Sequence, residues 1–345
     1  MVKCFISDFA IQRPPHSIEQ VEVLKWLATA HGRHGANVAD LKQRFLALGT
    51  GPGKVQQRGT FYTDCHHQNW DEMEIHGTTM DERMRFFDKA CSKVVEQFYE
   101  KSAMPDDLIH VSCTGYVAPS PVQRLVSNKG AETTVTHAYH MGCYAAVPAL
   151  RMGQGFLAAG KNQVDVVHTE LCTLHMGTHR HTVDQLIVET LFGDGLIKYS
   201  LGAEEKGFEI LKLSEEVIPN TLEHMTWNLE SWGMGMTLAI DIPLALGRGV
   251  KRFVRKLYGE DLSKAYFAIH PGGPKIIEQI ARILKLEDWQ VEHSKQVLQS
   301  CGNMSSATLP HIWSSMLEDI QPGSEVVSLA FGPGLTIVGA VLRCC

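Results

Sequence analysis

Short apolar runs alternate with amphipathic helical repeats from "KCFISDFAI" near the start to "SEVVSLAFGPGLTIVGAVLR" at the end, and this rhythm leaves few architectures open. Runs such as "DLIHVSCTGYV", "NQVDVVHTELCTL" and "KAYFAIHPGG" are too apolar for a strand with one wet face, so they read as strands covered on both faces. Between them, "TMDERMRFFDKACSKVVEQFYEKS", "DQLIVETLFGDG", "LALGRGVKRFVRKLYG" and "PKIIEQIARILKL" carry helical spacing, which implies α/β layers. "SIEQVEVLKWLATAHG" reads as a helix with Ser17 at its N-cap. The Gly-rich "LGTGPGKVQQRGTFY" lacks phosphate-loop spacing and reads as an ordinary loop. No low-complexity linker divides the 345 residues, so two similar halves sharing one core are expected, with residues 1–200 and 201–345 as the halves.

Composition closes several functional classes. A net charge of −6 without Lys/Arg-rich blocks argues against a nucleic-acid or anionic-membrane binder. No uncharged apolar run is long enough to span a bilayer, and "MVKCFISDFAIQRPP" has no extended apolar stretch of the signal-peptide kind, so a cytoplasmic location is expected. Nine cysteines at irregular spacing are then read as thiols, not a disulfide framework.

One thiol stands apart. In "THAYHMGCYAAVPALRMGQGFLAAG", Cys143 falls on the turn between a strand and a helix of small residues. The helix dipole there favours thiolate, although a lone Cys at such a place is more often a buried, inert side chain. Two other residues bear on the choice: His270 ends the strand in "FAIHPGGPK", and Asn303 sits at a helix head in "SCGNMSSATLP". Cys, His and Asn at element ends form a set suited to carbon–carbon bond formation on thioesters. The thiolate accepts an acyl group, and His and Asn N–H groups hold a thioester oxygen as it becomes an enolate.

The order Cys…His…Asn, together with "GC" before a small-residue helix, "LFGDG", "HPGGP", "GNMSSA" and "FGPGLT", resembles the type III polyketide synthases, the chalcone and stilbene synthase-like members of the thiolase fold. The resemblance runs over nearly the whole chain and fits microbial members better than plant ones. It implies a homodimer of five-layered αβαβα subunits, with Cys143 as acyl carrier and His270 and Asn303 assisting loading, decarboxylation and condensation. It further implies Phe192 and Met236 as gatekeepers, Ser305, Cys172 and His175 in the cavity wall, and Gly332 and Pro333 in a loop that shapes the cavity. No resident cofactor is implied, since acyl-coenzyme A, malonyl-coenzyme A or acyl-carrier-protein thioesters are the substrates.

The departures bear on the donor. Where plant members place three basic residues that grip coenzyme A phosphates, "LKQRFLALGTG" retains only Arg44, with Ala47 and Gly51 at the other two places. Carrier-protein donors or a relocated phosphate grip follow as alternatives. The basic run Arg248, Lys251, Arg252, Arg255 and Lys256 is either a solvated face or a patch for an acidic carrier protein. A ketoacyl synthase III-like enzyme making one condensation, and a non-catalytic thiolase-fold partner subunit, are the competing functions. His168, His175, His179 and His181 match no common zinc spacing, and His66 and His67 read as surface or substrate-entrance loop, so no metal is expected.

Overall fold

The computed structural model describes residues 3–48, 50–61, 79–239 and 242–345, except the side chains of Leu46, Pro243 and Arg248. His66 and His67 lie outside the described residues. The chain begins with β1 (Phe5–Gln12), β2 (His16–Glu19), α1 (Gln20–Arg33), α2 (Val38–Ala47), β3 (Gln57–Thr60), α3 (Met80–Phe98) and β4 (Asp107–Ser112). Next come α4 (Pro121–Lys129), β5 (Thr134–Tyr139), α5 (Ala146–Ala158), β6 (Gln163–Glu170), α6 (Val183–Leu191) and β7 (Gly195–Gly202). After β7 the alternation resumes with β8 (Phe208–Val217), β9 (Met225–Leu229), β10 (Met234–Leu238), α7 (Ile242–Leu257), β11 (Tyr266–Ile269) and α8 (Pro274–Leu284). It ends with α9 (Glu292–Cys301), α10 (Thr308–Asp319), β12 (Glu325–Gly332) and β13 (Thr336–Cys344).

Nine strands form one hydrogen-bonded sheet in the order β11-β12-β13-β8-β1-β7-β6-β4-β5. Read outward from its middle, the sheet repeats itself. β1 pairs antiparallel with β7, β7 antiparallel with β6, and β6 parallel with β4. On the other side β8 pairs antiparallel with β13, β13 antiparallel with β12, and β12 parallel with β11. Within the sheet, the short β1–β8 pairing, Phe5↔Glu209 and Ile6↔Phe208, joins the two halves.

Period-two alternation then assigns the layers. Ile109, Val166, Tyr199 and Leu201 from one half share an inner core with Ala268, Ala330, Val338 and Leu342 from the other, and α5 and α10 fill the space between. The opposite faces point outward: Leu108, Val167 and Leu196 pack under α3 and α4, while Phe267, Val327, Leu329 and Ile337 pack under α7 and α8. The result is αβαβα, as expected. Both central helices are crowded. A Cβ on Gly153 of α5 would lie 2.1 Å from Leu201 Cδ1, which explains the small-residue composition of that helix.

Sequence and structure differ at the head of α1. Ser17 is not its N-cap: it lies in β2 opposite Gly59 of β3 and donates to Gln57 Oε1 at 3.1 Å, and Glu19 occupies the cap position without a side-chain bond. Strand pairing with the following Gly-rich segment overrides the local capping preference. By contrast, α3 starts on a capping box made by Thr79 and Glu82, and α4 on one made by Ser120 and Gln123.

Trp313 of α10 is fully buried in the inner core, and its Nε1 donates to Ser328 Oγ of β12 at 2.8 Å. Replacing Trp313 with Ala should cost about 3–5 kcal/mol of stability in denaturant unfolding, because both the packing and the cross-layer bond are lost; a loss within experimental error would contradict the role given to this layer.

Candidate functional site

Cys143 sits in a 3₁₀ turn, Gly142–Tyr144, between β5 and α5. The turn needs a left-handed residue at Gly142 (φ 78°), whose Cβ position would also meet Pro333 Cδ at 2.8 Å. Gly142 N–H donates to Cys113 Sγ at 2.9 Å, tying the turn to the end of β4. Tyr144 in turn packs so close to Gly332 that a Cβ there would lie 2.3 Å from its ring. The loop after β12 therefore braces the Cys143 turn from the side.

Asn303 lies at the corresponding place ahead of α10, and its backbone forms a bridge with Phe192. Asn303 N–H donates to Leu191 O at 3.0 Å, and Gly193 N–H donates to Asn303 O at 2.9 Å. Its side-chain oxygen accepts from Ser305 N–H at 2.8 Å, which fixes the amide and leaves the NH₂ for other partners. Cys143 Sγ is 4.0 Å from Asn303 Oδ1 and 3.9 Å from Ser305 Oγ. His270 follows the last residue of β11, held by its N–H to Leu329 O at 2.7 Å. Its ring is 1% exposed, and neither nitrogen has a hydrogen-bond partner among the described residues. Two orphaned nitrogens on one buried ring are rare in a purely structural histidine.

Cys143, His270 and Asn303 line one cavity of about 540 Å³ with mainly apolar walls, and Phe192, Met236 and Phe331 stand in the same wall. Behind Cys143 lies a second space of only about 20 Å³, bounded by Cys172, Ser305, Trp227 and Pro333, with Phe192 and Met236 belonging to both spaces. Trp227 of β9 faces Met236 of β10 across the hairpin and donates its Nε1–H to Cys113 O at 2.8 Å, so the indole is held in that inner chamber.

Burial sets the protonation of the pair. It pushes the Cys143 thiol up to about 12, against smaller lowering effects of the Ser305 and Asn303 side chains, and it pushes the His270 ring down to about 3. The unliganded protein thus holds a neutral thiol and a neutral imidazole. The helix dipole expected to favour thiolate at Cys143 is outweighed by desolvation. Thiolate forms there only when a base takes the proton, and the His270 ring, with neither nitrogen partnered among the described residues, is the imidazole that lines the same cavity.

Other expected positions divide. His175 is buried, lines neither cavity, and bonds through Nε2 to Thr114 O at 2.7 Å while its ring meets the edge of Trp227. Gly332 likewise acts through its contact with Tyr144 and not through either wall. Arg44 is not among the described residues that line the cavity and pairs with Asp40 at 2.8 Å on the exposed face of α2; uncharged Ala47, Leu48 and Thr50 stand in the cavity wall. Within the basic run of α7, Arg252 pairs with Glu216 and Arg255 with Glu260. Among the described residues no three His, Cys, Asp or Glu side chains gather as metal ligands.

Sequence reasoning missed Glu170. It closes β6 fully buried, accepts from Cys113 N–H and Thr114 Oγ1 at 3.0 Å each, and bonds Ser306 Oγ. An acid ending an otherwise apolar buried strand was the available signal. Burial pushes Glu170 up to about 7, beyond what its hydrogen bonds offset. A raised folded value means stability that is complete below the unfolded titration, about pH 4.3, and is lost as pH rises through about 7. Wild-type protein should therefore lose melting temperature relative to Glu170→Gln between about pH 5 and about pH 8 in thermal unfolding scans, the buried histidines acting alike in both proteins. A difference between the two that does not change with pH would remove Glu170 as a titrating group.

Comparison with known proteins adds to this geometry. The family model for chalcone and stilbene synthases, C-terminal domain, matches residues 209–345. The chain is 28% identical over 274 residues to "Probable polyketide synthase 1" of Dictyostelium discoideum, covering 74% of this chain but spanning only 9% of that much longer protein. It is 27% identical, over a 364-residue alignment, to "Alpha-pyrone synthesis polyketide synthase-like Pks18" of Mycobacterium tuberculosis, covering 95% of this chain and 92% of the relative. Among solved structures, the C-terminal type III polyketide synthase domain of Steely1, a hybrid synthase from Dictyostelium, superposes with a TM-score of 0.87 at 23% identity over 99% of each chain. PKS-I from the brown alga Ectocarpus siliculosus gives 0.84 at 22% identity over 100% of this chain and 99% of that one. These likenesses show the fold.

Proposed function

We propose that this chain, whose residues 209–345 match the chalcone and stilbene synthase C-terminal family model, is a type III polyketide synthase: a ketosynthase that joins an acyl thioester to a malonyl-type thioester with loss of CO₂. The observation that carries this reading is the convergence of Cys143, His270 and Asn303 on one cavity in which the His270 ring nitrogens have no hydrogen-bond partner among the described residues.

In the proposed cycle, His270 takes the Cys143 proton as the sulfur attacks the acyl thioester carbonyl, and the carrier thiol leaves with that proton. A malonyl thioester then occupies the cavity. Its carboxylate leaves as CO₂, the released electron pair forms an enolate, and the enolate oxygen is held by N–H groups of His270 and Asn303. The enolate carbon attacks the acyl–Cys143 carbonyl, the new carbon–carbon bond forms, and the sulfur is expelled. Apolar walls and deep burial favour this sequence, since N–H donors act more strongly on a developing charge where water is excluded.

The roles separate in experiment. Cys143→Ala should abolish condensation yet still release CO₂ from malonyl-coenzyme A, whereas His270→Ala and Asn303→Ala should slow that release about 100-fold or more. Parallel loss of both activities in Cys143→Ala, with the fold intact by circular dichroism, would contradict the division.

The inner chamber, at about 20 Å³, favours short products, from a single condensation or few extensions. This is the feature that keeps a ketoacyl synthase III-like single condensation in view. Trp227→Ala should enlarge the chamber and shift the product mixture to longer ketides by mass spectrometry; an unchanged product length would mean that the chain does not grow inward. The family's homodimer is part of the same reading, and among the described residues no helix is long and apolar enough to cross a membrane.

A further inference from the structure

The ketosynthase reading requires a thioester whose phosphorylated end stays at the cavity mouth while its sulfur reaches Cys143. Arg44, the remaining basic residue of α2 in the family-like position, does not line that cavity and is paired with Asp40. Among the described residues that do line it, Lys275 is the one Lys or Arg. It is the second residue of α8, directly after Gly272-Gly273-Pro274, and its side chain is exposed with no ion-pair partner among the described residues. His270, buried and unpartnered, lines the same cavity five residues earlier, a stretch that spans at most about 18 Å of extended chain.

Two further contacts keep Lys275 available. Its nearest helical acid is Glu278, at i+3, where a pair would ordinarily form. Lys54 already holds Glu278 at 2.6 Å. Lys54 comes from the Gly-rich segment Gly51–Lys54, whose turn is closed by the Lys54 and Val55 N–H groups donating to Gly51 O. The charge opposing Lys275 in the cavity wall is Asp184, whose Oδ1 accepts from Gln185 N–H at 3.0 Å. One cation against one carboxylate leaves the described wall close to neutral, and without Lys275 the wall would set a net negative charge against a phosphate. The backbone N–H groups at the α8 N-terminus add to the same preference.

We propose that Lys275 is the phosphate anchor of this synthase, taking over at the head of α8 the grip absent from α2, and that it recognises the phosphate of a 4′-phosphopantetheine thioester. That chemistry is common to coenzyme A and to an acyl carrier protein. The inference rests on the ketosynthase reading, and its test separates the two.

The test compares the rate of Cys143 acylation by an acyl-4′-phosphopantetheine with that by the matching acyl-pantetheine, which differs only in lacking the phosphate. Wild-type protein should prefer the phosphorylated thioester. Lys275→Ala should lower that preference about tenfold, Lys275→Glu should lower it further by setting two carboxylates at the mouth, and Lys275→Arg should retain it. The same ratio measured with acyl-coenzyme A and with acyl carrier protein shows which carrier depends on Lys275; a drop with either supports the anchor. A preference unchanged in Lys275→Ala and Lys275→Glu, or no preference in wild-type protein, would overturn it while leaving the ketosynthase reading in place. Failure of wild-type protein to load any of these thioesters would overturn both.

Discussion

Two tight turns, Gly142–Tyr144 and Ser305–Ala307, meet where the half-sheets face each other, and both contain backbone that most residues avoid. Gly142 has φ 78° and Ser305 has φ 50°, the second at a cost of about 1–3 kcal/mol for a residue with a Cβ. The surrounding structure holds them there. Gly142 is fixed from below by Cys113 and from the side by Pro333, while Ser305 is fixed by its bond to Asn303 and by Thr308 Oγ1, which donates to Ser305 O at 3.0 Å. Because each turn heads a central helix, α5 or α10, the packing of those helices between the sheets brings Cys143 and Asn303 together. The fold's internal repetition is thus used asymmetrically, with a nucleophile on one half and a polar holder on the other.

Desolvation dominates the chemistry of this meeting point. It makes the resting thiol a poor nucleophile and the resting imidazole a neutral one, and it leaves Glu170 near the middle of the physiological range. A buried site of this kind keeps little charge until substrate supplies it. The carboxylate of a malonyl thioester and the enolate it becomes are charges that the N–H groups of His270 and Asn303 are placed to hold, and among the described residues the His270 ring has no other partner. The same burial protects an acyl–sulfur bond from water between two half-reactions.

How far the sequence revealed this depends on the kind of interaction. Buried β6 and β11 and amphipathic α3 and α8 were readable because burial on both faces and helical periodicity leave direct marks in residue order. Cys143, His270 and Asn303 stood out because each lies at an element end, where side chains reach cavities. Ser17 misled because a cap is a local preference and strand pairing with β3 is not. Glu170, Trp227 and the small inner chamber depend on which residues meet across 57 to 114 positions, as Cys113 does with Glu170 and Trp227, and no local pattern encodes that meeting. The balance between dipole and desolvation at Cys143 was hidden for the same reason, since the depth of burial belongs to the whole fold.

The central claim, that Cys143 carries the acyl chain, is tested most directly by intact-protein mass spectrometry after brief exposure to short acyl thioesters of coenzyme A and of carrier protein. The account predicts a mass increase of one acyl group per chain, located by peptide mapping to the segment containing Cys143 and discharged on adding a malonyl thioester. No adduct with either carrier, or an adduct on another cysteine that forms equally well in Cys143→Ala, would contradict it.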